Sequence, residues 1–391
     1  MPGLCGWQAR SVPCGCLVLC TGTARFASLP SRAHCALALV VSYPACVIAP
    51  LLLVFLGLAC NDTAPARSVS QGPGFAIETH SHRPSAEPVL VVDARGSSVD
   101  HVWEVTAQQP FRELVASWNL AVPDGCGAVV ELQVATGSAE SAWLHLGEWG
   151  VEPQQRAPLL SPLGQIHTDW FQAKEPITQA RLRVRAHGSP AAKVRIARLD
   201  MVLSDRTNLS GKAALDARPP VERSRWARRL PVPFRTQRSA GETIASRVCS
   251  PTSTSMVMAY RGIDVPLETM CARAFDLPNN IYGNWPRNVQ AAYTFGVPGR
   301  LARFSHWRDV EQHIADGSPL VISIRVRQGE LRGAPYEKTD GHLVVITGFT
   351  AAGEVLVNDP ATSDVAKGLC TWSREDLEVV WMGRGGLAYL L

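Results

Sequence analysis

With 391 residues the chain has room for two domains and a targeting segment, and 46% hydrophobic residues is ordinary for a folded protein. The formal net charge is +4, and residues 1–60 supply three of the 38 basic residues (Arg10, Arg25, Arg32) and no acid, leaving 35 basic against 34 acidic residues elsewhere. Such a balance gives no electrostatic footprint for nucleic acid.

Residues 36–59 read ALALVVSYPACVIAPLLLVFLGLA, with basic residues before them and Cys60 and a polar stretch after. A basic region, an apolar run and small residues before a cleavage point make an export signal. The protein is therefore expected to be secreted or attached to the cell envelope. LGLAC resembles a bacterial lipoprotein signal with Cys60 as the lipidated residue, although Gly57 and Leu58 stand where a larger aliphatic and a small residue are usual. Cleaved secretion and an uncleaved anchor stay open, since 24 residues can span a bilayer, while Pro44 and Pro50 count against a regular helix.

Residues 61–87, rich in Ser, Pro, Ala and Gly, read as a tether. Short alternating segments follow over 88–205: PVLVVDA, GAVVELQVAT, AWLHLGEW, ARLRVRAH and KVRIARLDMVLS. In RLRVR, Arg181, Arg183 and Arg185 alternate with Leu182 and Val184, the period of a half-buried strand. The expectation is an all-β, sandwich-like domain. Its tryptophans (Trp103, Trp118, Trp143, Trp149, Trp170) are expected mainly to fill the core, with stacking on cell-wall or other glycans as the alternative. Residues 206–229, polar, basic and with paired prolines, read as a linker.

Over 230–391 the pattern becomes α+β. PTSTSMVMAYRG reads as a helix with Ser250 as cap and Pro251 in the first turn. VPLETMCARAF and SHWRDVEQHIADG read as two more, the latter capped by Ser305, with His306 and His313 solvated. PLVISIRV, HLVVITGF, EVLVND and GLAYLL read as strands.

Of eleven cysteines, seven lie in the first 60 residues; Cys126, Cys249, Cys271 and Cys370 belong to the folded part. Cys249 sits at a helix start, where partial positive charge lowers a thiol's pKa, as a nucleophile needs. His342 opens an apolar strand, and Asp359, seventeen residues on, ends the strand after it. Two antiparallel neighbours bring that start and that end together, so Asp359 can orient the imidazole that faces the thiol. A disulfide through Cys249 is the rival reading. Cys271 and Cys370 read as structural, with a bond between them open. No spaced Cys/His cluster indicates a metal, and no cofactor is expected.

Together VPFRTQ, RVCSPTSTSMVM, GNWPRNVQAA, TDGHLVVITGF and VLVNDPA resemble a papain-like cysteine peptidase of the bacteriocin-leader-processing superfamily, family thirty-nine, in its secreted stand-alone branch. ELVASWNLAVPDG, WLHLGEWG and TDWF resemble the N-terminal region often fused to it. The resemblance implies a papain-like fold and a Cys249–His342–Asp359 site cleaving peptide or amide bonds. It also implies Gln237 as oxyanion donor, although Gln237 stands twelve residues before Cys249, a longer gap than the family's, and Ser250 replaces the usual glycine. Trp285 of GNWPRN reads equally as cleft lining or as buried packing. An inactive peptidase-fold binding protein and an acyltransferase on the same fold remain as alternatives.

Overall fold

The computed structural model describes residues 68–72, 75–207 and 218–391. The export segment over 1–60, with Cys60, lies outside the described residues. The chain divides into two units, Met1–Ala59 and Cys60–Leu391, and the fold is that of the second.

The N-terminal half is one ten-stranded sheet: β1 (Ser68–Gly72), β2 (Phe75–His82), β3 (Val89–Val91), β4 (His101–Ala121), β5 (Cys126–Ala135), β6 (Leu144–Gly150), β7 (Leu160–Ser161), β8 (Gly164–His167), β9 (Trp170–Gly188) and β10 (Lys193–Asp205). Its main path runs β1-β2-β10-β4-β9-β5-β6, antiparallel throughout. Two long strands make the sheet two-layered. The start of β4 pairs only with the end of β9, while its last residues, from Glu113 on, pair with β10 and the start of β9. Leu114, Ala116, Trp118 and Leu120 of one layer meet Leu182, Val184, Val130 and Leu132 of the other in a single core. Trp118 and Trp149 are buried, as a core role requires. The outward Arg181, Arg183 and Arg185 pair with Glu104, Glu140 and Glu131.

Two features differ from the sequence reading. Residues 75–82, read as tether, form β2, which pairs with β10 from His82↔Leu199 to Ala76↔Asp205. The longest strand, β4, was not legible. Its residues 114–120 are all buried, the polar Ser117 and Asn119 included, so burial does not follow period two there. Alternate residues face the sheet's own core, while Val115 joins the core of the C-terminal half with Ile77 and Val202.

The C-terminal half has α1 (Arg223–Trp226), α2 (Cys249–Tyr260), α3 (Leu267–Ala274), α4 (Trp285–Thr294), α5 (Trp307–Ala315), α6 (Val365–Gly368) and α7 (Arg374–Val380) around six strands. These are β11 (Arg300–Arg303), β12 (Leu320–Val326), β13 (Thr339–Phe349), β14 (Val355–Asn358), β15 (Leu369–Trp372) and β16 (Leu387–Leu390), ordered β11-β16-β12-β13-β14-β15. The end of the expected linker belongs to this half. Val221 and Trp226 enter its core, and the Leu230 N–H donates to the Thr347 carbonyl at 2.7 Å. The Arg228 carbonyl runs so close to Gly348 (φ +153°) that a Cβ there would lie 1.8 Å from it, and only glycine fits.

The halves share polar as well as apolar contacts. Leu120 of β4 gives both its backbone groups to the Gln290 amide, each bond 2.8 Å. Buried Glu113 of β4 pairs with Arg206 and, at 3.1 Å, with Arg303 of β11. Burial pulls Arg303 down to about 10, against the pull of Glu113. Glu113→Gln should therefore strand a buried guanidinium and cost about 3 kcal/mol, read as a fall in chemical-denaturation stability.

Cys126, Cys249, Cys271 and Cys370 are all free. The bond between Cys271 and Cys370 does not form. Cys271 packs on α3 with Val248 and Leu267, and the Cys370 thiol donates to the Lys367 carbonyl at 3.1 Å. His306 is buried as the N-cap of α5, in the place expected of Ser305, and His313 is half-buried with its ring edge-on to Phe304; neither is the solvated group the sequence suggested.

Candidate active site

Cys249 is the first residue of α2, and the cap is Val248, whose side chain supplies no hydrogen bond. Ser250 does not cap; its hydroxyl shares a 2.9 Å bond with Tyr389. Nor does the helix bury one apolar face, because every residue from Ser250 to Met258 is buried. Its hydroxyls meet that burial locally: Thr252 donates to the Val248 carbonyl (2.6 Å) and Ser255 to the Thr252 carbonyl (2.8 Å). Ser253 donates to the Leu343 carbonyl at 2.8 Å and so ties the helix to β13 beside His342. Pro251 has no N–H, so of the first turn's amides only those of Cys249 and Ser250 lack a helical acceptor, and the Ser250 N–H faces the thiol.

The β13–β14 hairpin makes the second contribution. Val345 pairs with Asn358, which sets the mouth of β13 beside the end of β14. His342 Nε2 lies 2.8 Å from Asp359 Oδ1. Asp359 is fully buried and also accepts the Tyr336 hydroxyl (2.9 Å) and the Ala361 N–H (2.9 Å). With Nε2 committed to the carboxylate, Nδ1 is the ring nitrogen left to face the neighbouring Cys249 thiol. The Tyr336 ring stands edge-on to the imidazole, centroids 5.1 Å apart.

Burial alone would push the Cys249 thiol up. The hydrogen bond and charge of His342, helped by the Leu343 and Ser250 N–H groups, outweigh burial and hold it below its ordinary value. Burial alone would lower His342; the Asp359 charge and hydrogen bond, then Cys249, raise it to about 10. Both shifts favour a thiolate–imidazolium pair at neutral pH. Cys271 and Cys370, which have no such partner, are pushed up by burial to about 12.

Half-buried Cys249 opens onto a cleft of about 730 Å³. Trp285 packs partly on the core and also lines this cleft, so both readings of it hold. Gln237 is buried and stitched beside the site, its N–H donating to the Pro360 carbonyl at 2.9 Å. One N–H of its side-chain amide donates to the Ala245 carbonyl at 2.7 Å, which anchors the group and leaves the second N–H for an oxyanion role. Sequence reasoning missed Tyr336, a loop residue with no periodic signal. It also missed the β8–β9 turn, residues 167–170, which lines the cleft from the N-terminal half.

Residues 229–389 match the Peptidase_C39 like family. This segment resembles a C39-like peptidase domain. Residues 101–204 match the Peptidase C39 N-terminal domain, which covers β4 to β10. Among solved structures, a double-glycine motif protease from an AMS/PCAT transporter, in complex with the leader peptide, is 22% identical, covering 41% of this chain and 91% of its own (TM-score 0.29). The VP2 subviral particle of infectious bursal disease virus is 10% identical over 35% of each chain (TM-score 0.22). Scores this low add nothing to the fold described above. No curated protein matches the chain. The C39-like domain places Cys249 at the start of a buried helix, His342 on a strand and Asp359 just past the next, with His342 bonded to Asp359.

Proposed function

We propose that the protein is an exported cysteine peptidase that cleaves peptide bonds through Cys249, His342 and Asp359. The observation that carries this reading is the His342 imidazole bonded to the buried Asp359 carboxylate beside a Cys249 thiol that opens onto a cleft. The Cys249 thiolate attacks the carbonyl carbon, and the carbonyl electrons move onto oxygen. The Cys249 N–H, unused by the helix, stabilises that oxyanion, joined by the Gln237 N–H that Ala245 does not take. The C–N bond then breaks as the imidazolium gives its proton to the leaving amine, which leaves a thioester. Neutral His342 takes a proton from water, which hydrolyses the thioester and restores the thiol. The apolar run at 36–59 supports action outside the cytoplasm.

Iodoacetamide with peptide mapping, together with thiol-dependent cleavage of a peptide library, tests the reading. Cys249 should be alkylated at pH 7 at least about 100-fold faster than Cys271 or Cys370, because only it carries substantial thiolate. Equal rates, or a library left intact by a protein whose Cys249 is reactive, would refute the activity.

A further inference from the structure

The cleft is not built by the C39-like domain alone. His167, Thr168, Asp169 and Trp170, the β8–β9 turn of the N-terminal half, form one of its walls. Asp169, itself buried, accepts the Trp285 N–H at 2.8 Å. That bond clamps the turn to the first residue of α4. Trp285 and Tyr282, three residues before it, line the same cleft, and each is half-buried; the Arg247 guanidinium lies over the Tyr282 ring, 5.4 Å from its centroid. His167 stacks on Trp170 with centroids 5.0 Å apart, which fixes the indole's plane. Thr168 is exposed at the wall with φ +55°. A β-branched residue is rare in the left-handed region, and such strain persists only where the surroundings impose it, as at ligand sites.

We propose, on the basis of the peptidase reading above, that Trp170 of the N-terminal domain joins Tyr282 and Trp285 in a substrate subsite that takes a bulky apolar or aromatic peptide side chain. Three rings from two domains give that side chain a large apolar contact, while the open thiol lies in the same cleft. The N-terminal domain is thus part of the specificity apparatus. Trp170 acts by contact with substrate and takes no part in the proton transfers.

The test uses the full chain and paired fluorogenic peptides that differ only in phenylalanine or glycine at one position, scanned along the peptide. At one position phenylalanine should be preferred, and Trp170→Ala should raise KM for that peptide about tenfold while kcat changes less than about twofold. Trp170→Phe should restore most of the preference, which a role in folding alone would not predict. Binding of the same peptides to Cys249→Ala, by fluorescence anisotropy, separates the two readings. If wild type cleaves nothing but Cys249→Ala binds the phenylalanine peptide and loses it with Trp170→Ala added, the subsite stands and the activity falls. If wild type cleaves and neither preference nor KM responds to Trp170→Ala, or if Trp170→Phe is as impaired as Trp170→Ala, the subsite is refuted.

Discussion

Cys249→Ala is expected to reduce peptide cleavage by about 10⁴-fold or more, and adding His342→Ala should reduce it little further. Thiolate and imidazolium form one proton-sharing unit, so removing either leaves the other without a task. The fold should survive the first change. Cys249 is half-buried at a helix start, and alanine is a good helix former there. The measurement is kcat/KM for both single variants and the double variant, with far-UV circular dichroism as the fold control. Independent, multiplying losses would mean that the two residues do not act together.

Asp359→Asn should lower kcat by roughly 10²- to 10⁴-fold with a change in pH profile that identifies the cause. In the wild type, activity is expected to rise as Cys249 loses its proton, below the ordinary thiol value, and to fall as His342 loses its own near pH 10. Burial opposes the charge on His342 and Asp359 supplies the largest opposing pull. Without that carboxylate the imidazolium is weakened, so the alkaline limb must move to lower pH. With less positive charge beside it, the thiol loses stabilisation as a thiolate, so the acid limb must move up. The bell should narrow from both sides. A uniform loss with an unchanged profile would mean that Asp359 only holds the hairpin together.

The site was legible in the sequence because its parts sit at ends of elements. Cys249 before a proline-marked helix, His342 at the mouth of an apolar run and Asp359 past the next strand are all local signals, and one hairpin closes two of them. Tyr336 and the β8–β9 turn were not legible. Both reach the cleft through loops, whose path depends on the elements they connect rather than on any period. In β4 the polar Ser117 and Asn119 alternate with Ala116, Trp118 and Leu120, yet they are buried too, accepting the Leu301 and Gly299 N–H groups of the C-terminal half. Ser250 misled for a related reason. A serine before a proline reads as a cap, but its hydroxyl is claimed by Tyr389, 139 residues away.

The Gln290 amide that takes both backbone groups of Leu120 has a consequence for how the protein can be cut. Beyond Val115, β4 has a partner strand on one side only, β10; on the other, one side chain of α4 closes the ladder. Cleaved away from the C39-like domain, the N-terminal half would present a bare hydrogen-bonding edge beside newly uncovered apolar residues, the combination that recruits other chains.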